Sequence, residues 1–278
     1  MATRPAKDAI ANGLRKFLPE RLAYRITRAK NIFLQDLMFK RVKASPQKAK
    51  DFLQKQLKKH LGEHYDAAAF TPPYAPWEQR LCLVPDADFF EAIKARKASI
   101  VTDHVERFDE TGIMLKSGKH LDADVIVTAT GLKIAVAGKI AIAVDGVAID
   151  LAQSFNYRNC MYSNLPNFAA MFGYFNASWT LRVDIVADYL VRVLQKLEAE
   201  GAQIAVPVLA EDARPPVDEK LDLASGYLDR GKHLMPRNAA ALPWRLNHDY
   251  RHDRKDMARA PLDDGILEFR RVRVSVNA

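Results

Sequence analysis

Apolar residues recur at helical spacing from the start of the chain: Ile10, Leu14, Phe17, Leu18, Leu22 and Ile26. Pro19 predicts a break inside that run, because it has no N–H to donate and clashes with the preceding turn. A second helical stretch is expected from about Ile32 to Leu61, stopped by Gly62. The segment FTPPYAP at 70–76 holds three prolines in seven residues and predicts an extended connector. Beyond it, Phe89, Phe90 and Ile93 fall on one face of a short helix over 87–97. Residues 99–107 and 111–116 read as strands, KSGKHL as a turn, and 112–129 as a small β-meander. Residues 140–149 repeat the hairpin pattern about Asp145-Gly146.

Two runs predict strands buried on both faces: 123–129, centred on Val125, Ile126 and Val127, and Asn167–Gly173. The first ends at Ala129-Thr130-Gly131. The second leads through YFNAS into a helix from Trp179 to Glu200, closed by Gly201. From Ala202 the periodicity fades into a polar, proline-bearing loop (207–220) and an irregular tail. There is no internal repeat or low-complexity tract. Helices, a β-rich middle and a strand–helix unit together predict an α/β or α+β protein.

At 49% hydrophobic and 27% charged residues, the chain has the composition of a globular protein able to bury a core. No apolar stretch reaches the roughly 20 residues of a membrane span, so an integral membrane protein is not expected. Cys82 and Cys160 suggest neither a disulfide framework nor a zinc site, and a reducing, cytoplasmic setting is expected. Charge does change the picture. Residues 1–60 hold 16 Lys/Arg against 4 Asp/Glu, a local excess of 12 within a net +8. Such a segment could face nucleic acid, anionic lipid or a phosphorylated cofactor.

Candidate chemistry is sparse. Asn176 and Ser178 suit a helix N-cap, and the same helix start could receive an anion or an electron-rich carbonyl. Arg80, between Trp77 and an apolar run, reads either as a partly buried anion holder or as an ordinary surface arginine. His248 and His252 lack a third ligand and are expected on a solvated helix face, so no metal site is expected. The twelve glycines include no pair two apart, which excludes any G-x-G-x-x-G dinucleotide fingerprint.

Five segments occur in order: YAPWEQRLCLVPDADFFEAIK, ADVIVTATGL, LPNFAAMFGYFNASWTLR, SGYLDR and LPWRLNHDY. Together they resemble the C-terminal half of class B flavin-dependent monooxygenases, the flavin-containing and Baeyer–Villiger type. The likeness is greatest to the subgroup that includes the ethionamide-activating monooxygenase. It implies a partial two-dinucleotide-binding-domain (FAD/NAD(P)) α/β fold lacking the N-terminal FAD Rossmann unit. It also implies a basic helical segment of the NADP-domain region (1–62) and the rear of the NADP-binding domain with a β-meander (63–131). The rest (132–278) would return to the FAD-binding domain and end in an irregular tail.

The resemblance implies FAD and NADPH as cofactors, with O₂ and a small organic substrate as partners. The implied outcome is N- or S-oxygenation or Baeyer–Villiger oxidation through a C4a-peroxyflavin. Arg80 matches the arginine that would hold that anion and contact the nicotinamide, with Trp77 and Gln79 beside the cofactor. Ala129, Thr130 and Gly131 match the crossing between the two cofactor domains. Gly173, Tyr174, Asn176, Ala177 and Ser178 match a helix start aimed at the pyrimidine edge of the flavin. Glu78 stands where aspartate is common, and residues 234–244 vary a more usual loop. The missing fingerprints imply that complete cofactor sites need a complementary N-terminal half.

Two alternatives stand beside this reading. The chain alone is catalytically silent, a fragment of a longer gene or half of a split pair; or residues 1–60 form a basic helical module for nucleic acid or membrane, with nucleic acid the less expected. If neighbouring strands are lacking, 123–129 and 167–173 should expose apolar surface, and aggregation or partial disorder is expected.

Overall fold

The computed structural model describes residues 1–218 and 225–272. The chain is mixed α/β and divides into two compact units, Met1–Gly131 and Leu132–Ala278.

In the first unit a short strand, β1 (Ala2–Arg4), pairs in parallel with β2 (Leu83–Pro85). Helix α1 (Ala9–Phe17) is capped by the Asp8 carboxylate, which accepts from the Ala11 N–H at 3.0 Å. Pro19 separates it from α2 (Glu20–Ala44), a longer helix than the sequence pattern predicts. The next break falls at Ser45 rather than near Ile32. Pro46 opens α3 (Pro46–Leu61), where its missing N–H costs nothing, and cannot continue the helix before it. With α4 (Ala67–Phe70) and α5 (Asp88–Lys94), α3 encloses a small core of Leu57, Leu61, Phe70, Val84 and Phe90.

The meander forms in part as expected. Strands β3 (Val105–Asp109), β4 (Gly112–Leu115) and β5 (His120–Asp122) pair antiparallel, although 99–104 is not strand. His120 lies 3.0 Å from Asp109 and 2.9 Å from Asp122. The hydrogen bond to Asp109 raises the His120 pKa, and its counterpart holds Asp109 down to about 2. The expected buried strand over 123–129 is absent. The last ladder bond is Ala123 N–H to the Thr111 carbonyl at 3.0 Å. Val125 and Val127 are then 79% and 84% exposed. A strand exists through its neighbours, and among the described residues none runs beside this segment.

In the second unit β6 (Ile142–Val144) and β7 (Val147–Ile149) form the expected hairpin, with positive φ at Asp145 and Gly146. Strands β8 (Asn156–Tyr157) and β9 (Met161–Tyr162) enclose a tight turn. Helix α6 (Trp179–Glu200) has the bounds expected from sequence, and its left-handed Gly201 completes the C-cap. The tail is more regular than expected. Strand β10 (Ile204–Pro207) pairs antiparallel with β11 (Leu267–Arg270), and α7 (Gly226–Gly231) and α8 (Tyr250–Arg259) lie between them in sequence. The last two residues of the polar loop 207–220, and the end of the tail from 273, lie outside the described residues. Helix α6 packs on α8 over a core that includes Tyr157, Met161, Val186, Tyr189, Trp244 and Met257.

Asn167–Gly173 is not a strand. Its backbone makes isolated bonds, Asn167 N–H to the Ala205 carbonyl and Ala170 N–H to the Cys160 carbonyl, both at 2.9 Å, and side chains add to them. Asn167 Nδ2 donates to the Gln203 carbonyl and its Oδ1 accepts from Ala205 N–H, both at 2.9 Å. Asn164 binds Leu209 in the same two-sided way at 2.8 and 2.9 Å. These two side-chain amides satisfy backbone groups of Gln203, Ala205 and Leu209 and hold the segment's start beside β10.

Candidate functional site

The sequence-derived candidates fall in three places. In the first unit Trp77, Gln79 and Arg80 share one loop. Trp77 adopts a left-handed φ of 67° and sets its ring edge-on to Phe39 at 5.5 Å. Gln79 and Arg80 line a small cavity of about 110 Å³ together with Lys50, Gln54, Tyr74 and Cys82. Arg80 is exposed, so the partly buried anion holder that its sequence neighbours suggested is not realised within this unit. Ala129, Thr130 and Gly131 are exposed at the end of the same unit, and Gly131 has φ +117°, a conformation open to glycine.

The third group, Gly173 to Ser178, is built into the second unit. A Cβ at Gly173 would lie 2.1 Å from the Trp179 ring, so only glycine lets the indole fold back over the backbone. Tyr174 is fully buried, and Asn176 Nδ2 donates to the His248 carbonyl at 3.0 Å. Ala177 is half-buried. Ser178 occupies the N-cap position of α6 but does not cap it. Its hydroxyl lies 2.9 Å from Thr180 Oγ1 and makes no cap bond, while Leu181 N–H turns back to the Ser178 carbonyl at 3.2 Å. The helix start therefore keeps the positive end of its dipole without a carboxylate or hydroxyl cap from Ser178.

A polar cluster that sequence reasoning missed anchors this segment. Arg182 is fully buried and donates to the Asn247 carbonyl and, at 3.3 Å, to Asp253 Oδ2. Its guanidinium also stacks 4.0 Å from the centre of the Tyr174 ring. Asp253 accepts further bonds from Tyr174 Oη at 2.7 Å and Asn247 Nδ2 at 2.6 Å. Burial raises the Asp253 pKa, opposed by Arg182 and these two donors. The sequence did hold a signal. Arg182 lies in phase with the buried Ile185, Tyr189 and Val193 of α6, and Asp253 with Met257 of α8.

His248 corrects an expectation. His252 is on α8 and exposed, but His248 precedes the helix and stacks 4.4 Å from Phe175. Both its ring nitrogens are buried without hydrogen-bond partners. Burial, reinforced by Arg182, lowers its pKa to about 3 and keeps it neutral. A second buried cluster joins Arg158 to Asp256 at 2.7 Å and to Asp264 at 3.3 Å, with Tyr157 donating to Asp264 at 2.7 Å. It braces the β8–β9 turn. Among the described residues no group of His, Cys, Asp and Glu is arranged to hold a metal ion.

Comparison with known proteins finds relatives of the whole chain. No family model matches the chain. It is 42% identical over 271 residues to the probable FAD-binding monooxygenase AlmA of Acinetobacter baylyi, covering 97% of this chain and 54% of that protein. Two Mycobacterium tuberculosis proteins are also similar. The putative FAD-containing monooxygenase MymA is 40% identical over 95% of this chain and 54% of its own length. The FAD-containing monooxygenase EthA is 37% identical over 97% and 55%. The chain thus spans about half the length of the curated relatives it matches, and those relatives are oxidoreductases by name.

Proposed function

We propose that this chain, which belongs to the FAD-containing monooxygenases as the counterpart of their C-terminal half, supplies two cofactor-contacting segments of an FAD- and NADPH-dependent monooxygenase. The reaction class is oxygenation of nitrogen, sulfur or a ketone carbon in a small organic substrate. One observation carries the reading. The first turn of α6 begins without a cap bond from the Ser178 side chain, on a segment locked from beneath by Arg182, Tyr174 and Asp253.

Bound FAD would pass electrons from NADPH to O₂. The residues present fit the flavin at one edge. The N–H groups following Ser178, with the helix dipole behind them, suit an electron-rich carbonyl edge on which negative charge develops. Gly173 and the buried Tyr174 fix the approach of that turn, and Asn176 ties it to the backbone at His248. Thr130 and Gly131 offer a small hydroxyl and an open backbone at the end of the first unit. Arg80 offers a permanent positive charge and a planar fork of donors for the nicotinamide amide and for a reduced-oxygen anion. The residues do not fit the pyrophosphate. No two glycines stand two apart, so the turn that receives it is not in this sequence. In the two-dinucleotide-domain arrangement proposed here, polypeptide outside this sequence holds that part of FAD.

Mixing the chain with a separately produced N-terminal half of the Acinetobacter baylyi relative tests the proposal. Retained flavin absorbance and NADPH-dependent O₂ uptake are expected only in the mixture. Arg80→Ala should lower uptake by roughly a hundredfold while flavin is retained. A mixture that retains no flavin would contradict the assignment.

A further inference from the structure

Helices α1 and α2 place one residue each in the interior, Ala11 and Ala23. The two helices pack through small side chains, and Lys30 reaches Asp8 at 2.6 Å to close the corner. Several of their larger apolar residues are left outside. On α1, Ile10, Leu14 and Phe17 share one face at i, i+4, i+7, with Ile10 58% and Phe17 85% exposed. On α2, Leu22 and Ile26 line another stripe, and both are exposed. A surface helix of a globular protein normally turns such a stripe to the core, so this one calls for a different cover.

Charge selects the cover. The two helices hold nine Lys/Arg (Arg15, Lys16 and seven on α2) against two acidic residues, Glu20 and Asp36. On α1, Arg15 and Lys16 stand on the side away from Ile10 and Phe17, the division of a helix lying in the plane of a membrane interface. Duplex DNA would meet the cations through its phosphates but offers no apolar surface to cover Ile10 and Leu14. Among the described residues no helix is long and apolar enough to cross a membrane.

We propose that α1 and the start of α2 dock on an anionic phospholipid surface. The apolar face of Ile10, Leu14 and Phe17 enters the boundary between headgroups and acyl chains, and the flanking Lys/Arg meet the lipid phosphates. Both contributions act together, because a basic patch and an apolar face each bind reversibly and weakly alone.

The test is co-sedimentation of the full chain with vesicles of phosphatidylcholine alone and of phosphatidylcholine with an equal part of phosphatidylglycerol. Sedimentation with the anionic vesicles only, weakened by salt, is expected. The pair Ile10→Ser and Phe17→Ser, at unchanged charge, should weaken it by about tenfold. The pair Arg15→Gln and Lys16→Gln should weaken it by roughly twentyfold. All four side chains face solvent, so the variants keep the fold. Absence of sedimentation at low salt overturns the proposal. So does binding that ignores the serine pair, or retention of duplex DNA without retention of vesicles.

Discussion

Arg182 and Asp253, both sealed from solvent, face each other at 3.3 Å between α6 and α8 and hold Tyr174 between them. The pair converts two distant stretches of sequence into one support for the Gly173–Ser178 turn. Arg182→Met leaves a buried carboxylate without its cation and should cost about 3–5 kcal/mol in urea unfolding. Arg182→Lys should recover little of that, because an ammonium cannot both stack on Tyr174 and reach the Asn247 carbonyl. Adding Asp253→Leu to Arg182→Met should recover part of the loss. A Met variant within about 1 kcal/mol of the parent would remove this support from the account.

His248 predicts a pH dependence. Its folded pKa is near 3, whereas the unfolded value is the ordinary histidine one, about 6.5. The unfolded chain therefore binds the extra proton between these values. Stability is fully present above about pH 6.5 and falls by up to roughly 1.4 kcal/mol per pH unit as the pH drops through that window. His248→Phe keeps the stack on Phe175 and should flatten the acid limb of a Tm-against-pH curve. An unchanged slope in the variant would assign the limb to other groups.

Gly173 is set by contact with Trp179, not by backbone sign. Gly173→Ala forces the indole away from the turn and should cost about 1–3 kcal/mol. Trp179 emission should shift with it. If stability and emission are both unchanged, the indole does not cover this glycine in solution.

The exposed run at Val125–Val127 gives the opposite expectation. Val127→Thr should change unfolding free energy by less than about 0.5 kcal/mol, as for any exposed site, while raising the concentration at which the chain remains soluble. A loss of several times that size would mean the side chain is buried after all.

These cases show what could be read in advance. Helix α6 was legible because its apolar stripe, start and left-handed Gly201 are all local. The hairpin at Asp145-Gly146 was legible for the same reason. Val125–Val127 misled, because a β-branched run reports an affinity for burial and cannot report whether a neighbour is present to bury it. Strands β10 and β11 were missed since their pairing joins residues sixty or more apart, and α8 since it is polar almost all round. The candidate residues at Gly173–Ser178 came from resemblance. Their support by Arg182 was visible only as a charged residue in phase with an apolar stripe. The two-sided amide bonds of Asn164 and Asn167 have no periodic signature at all.

The proposed function gives α6 a flavin-facing start and leaves the pyrophosphate to a glycine-rich turn that this sequence does not contain. Titration of the isolated full chain with FAD, followed by gel filtration and a visible spectrum, tests it most directly. The account predicts a colourless protein that retains no stoichiometric flavin and takes up no O₂ with NADPH. One FAD retained per chain would contradict it.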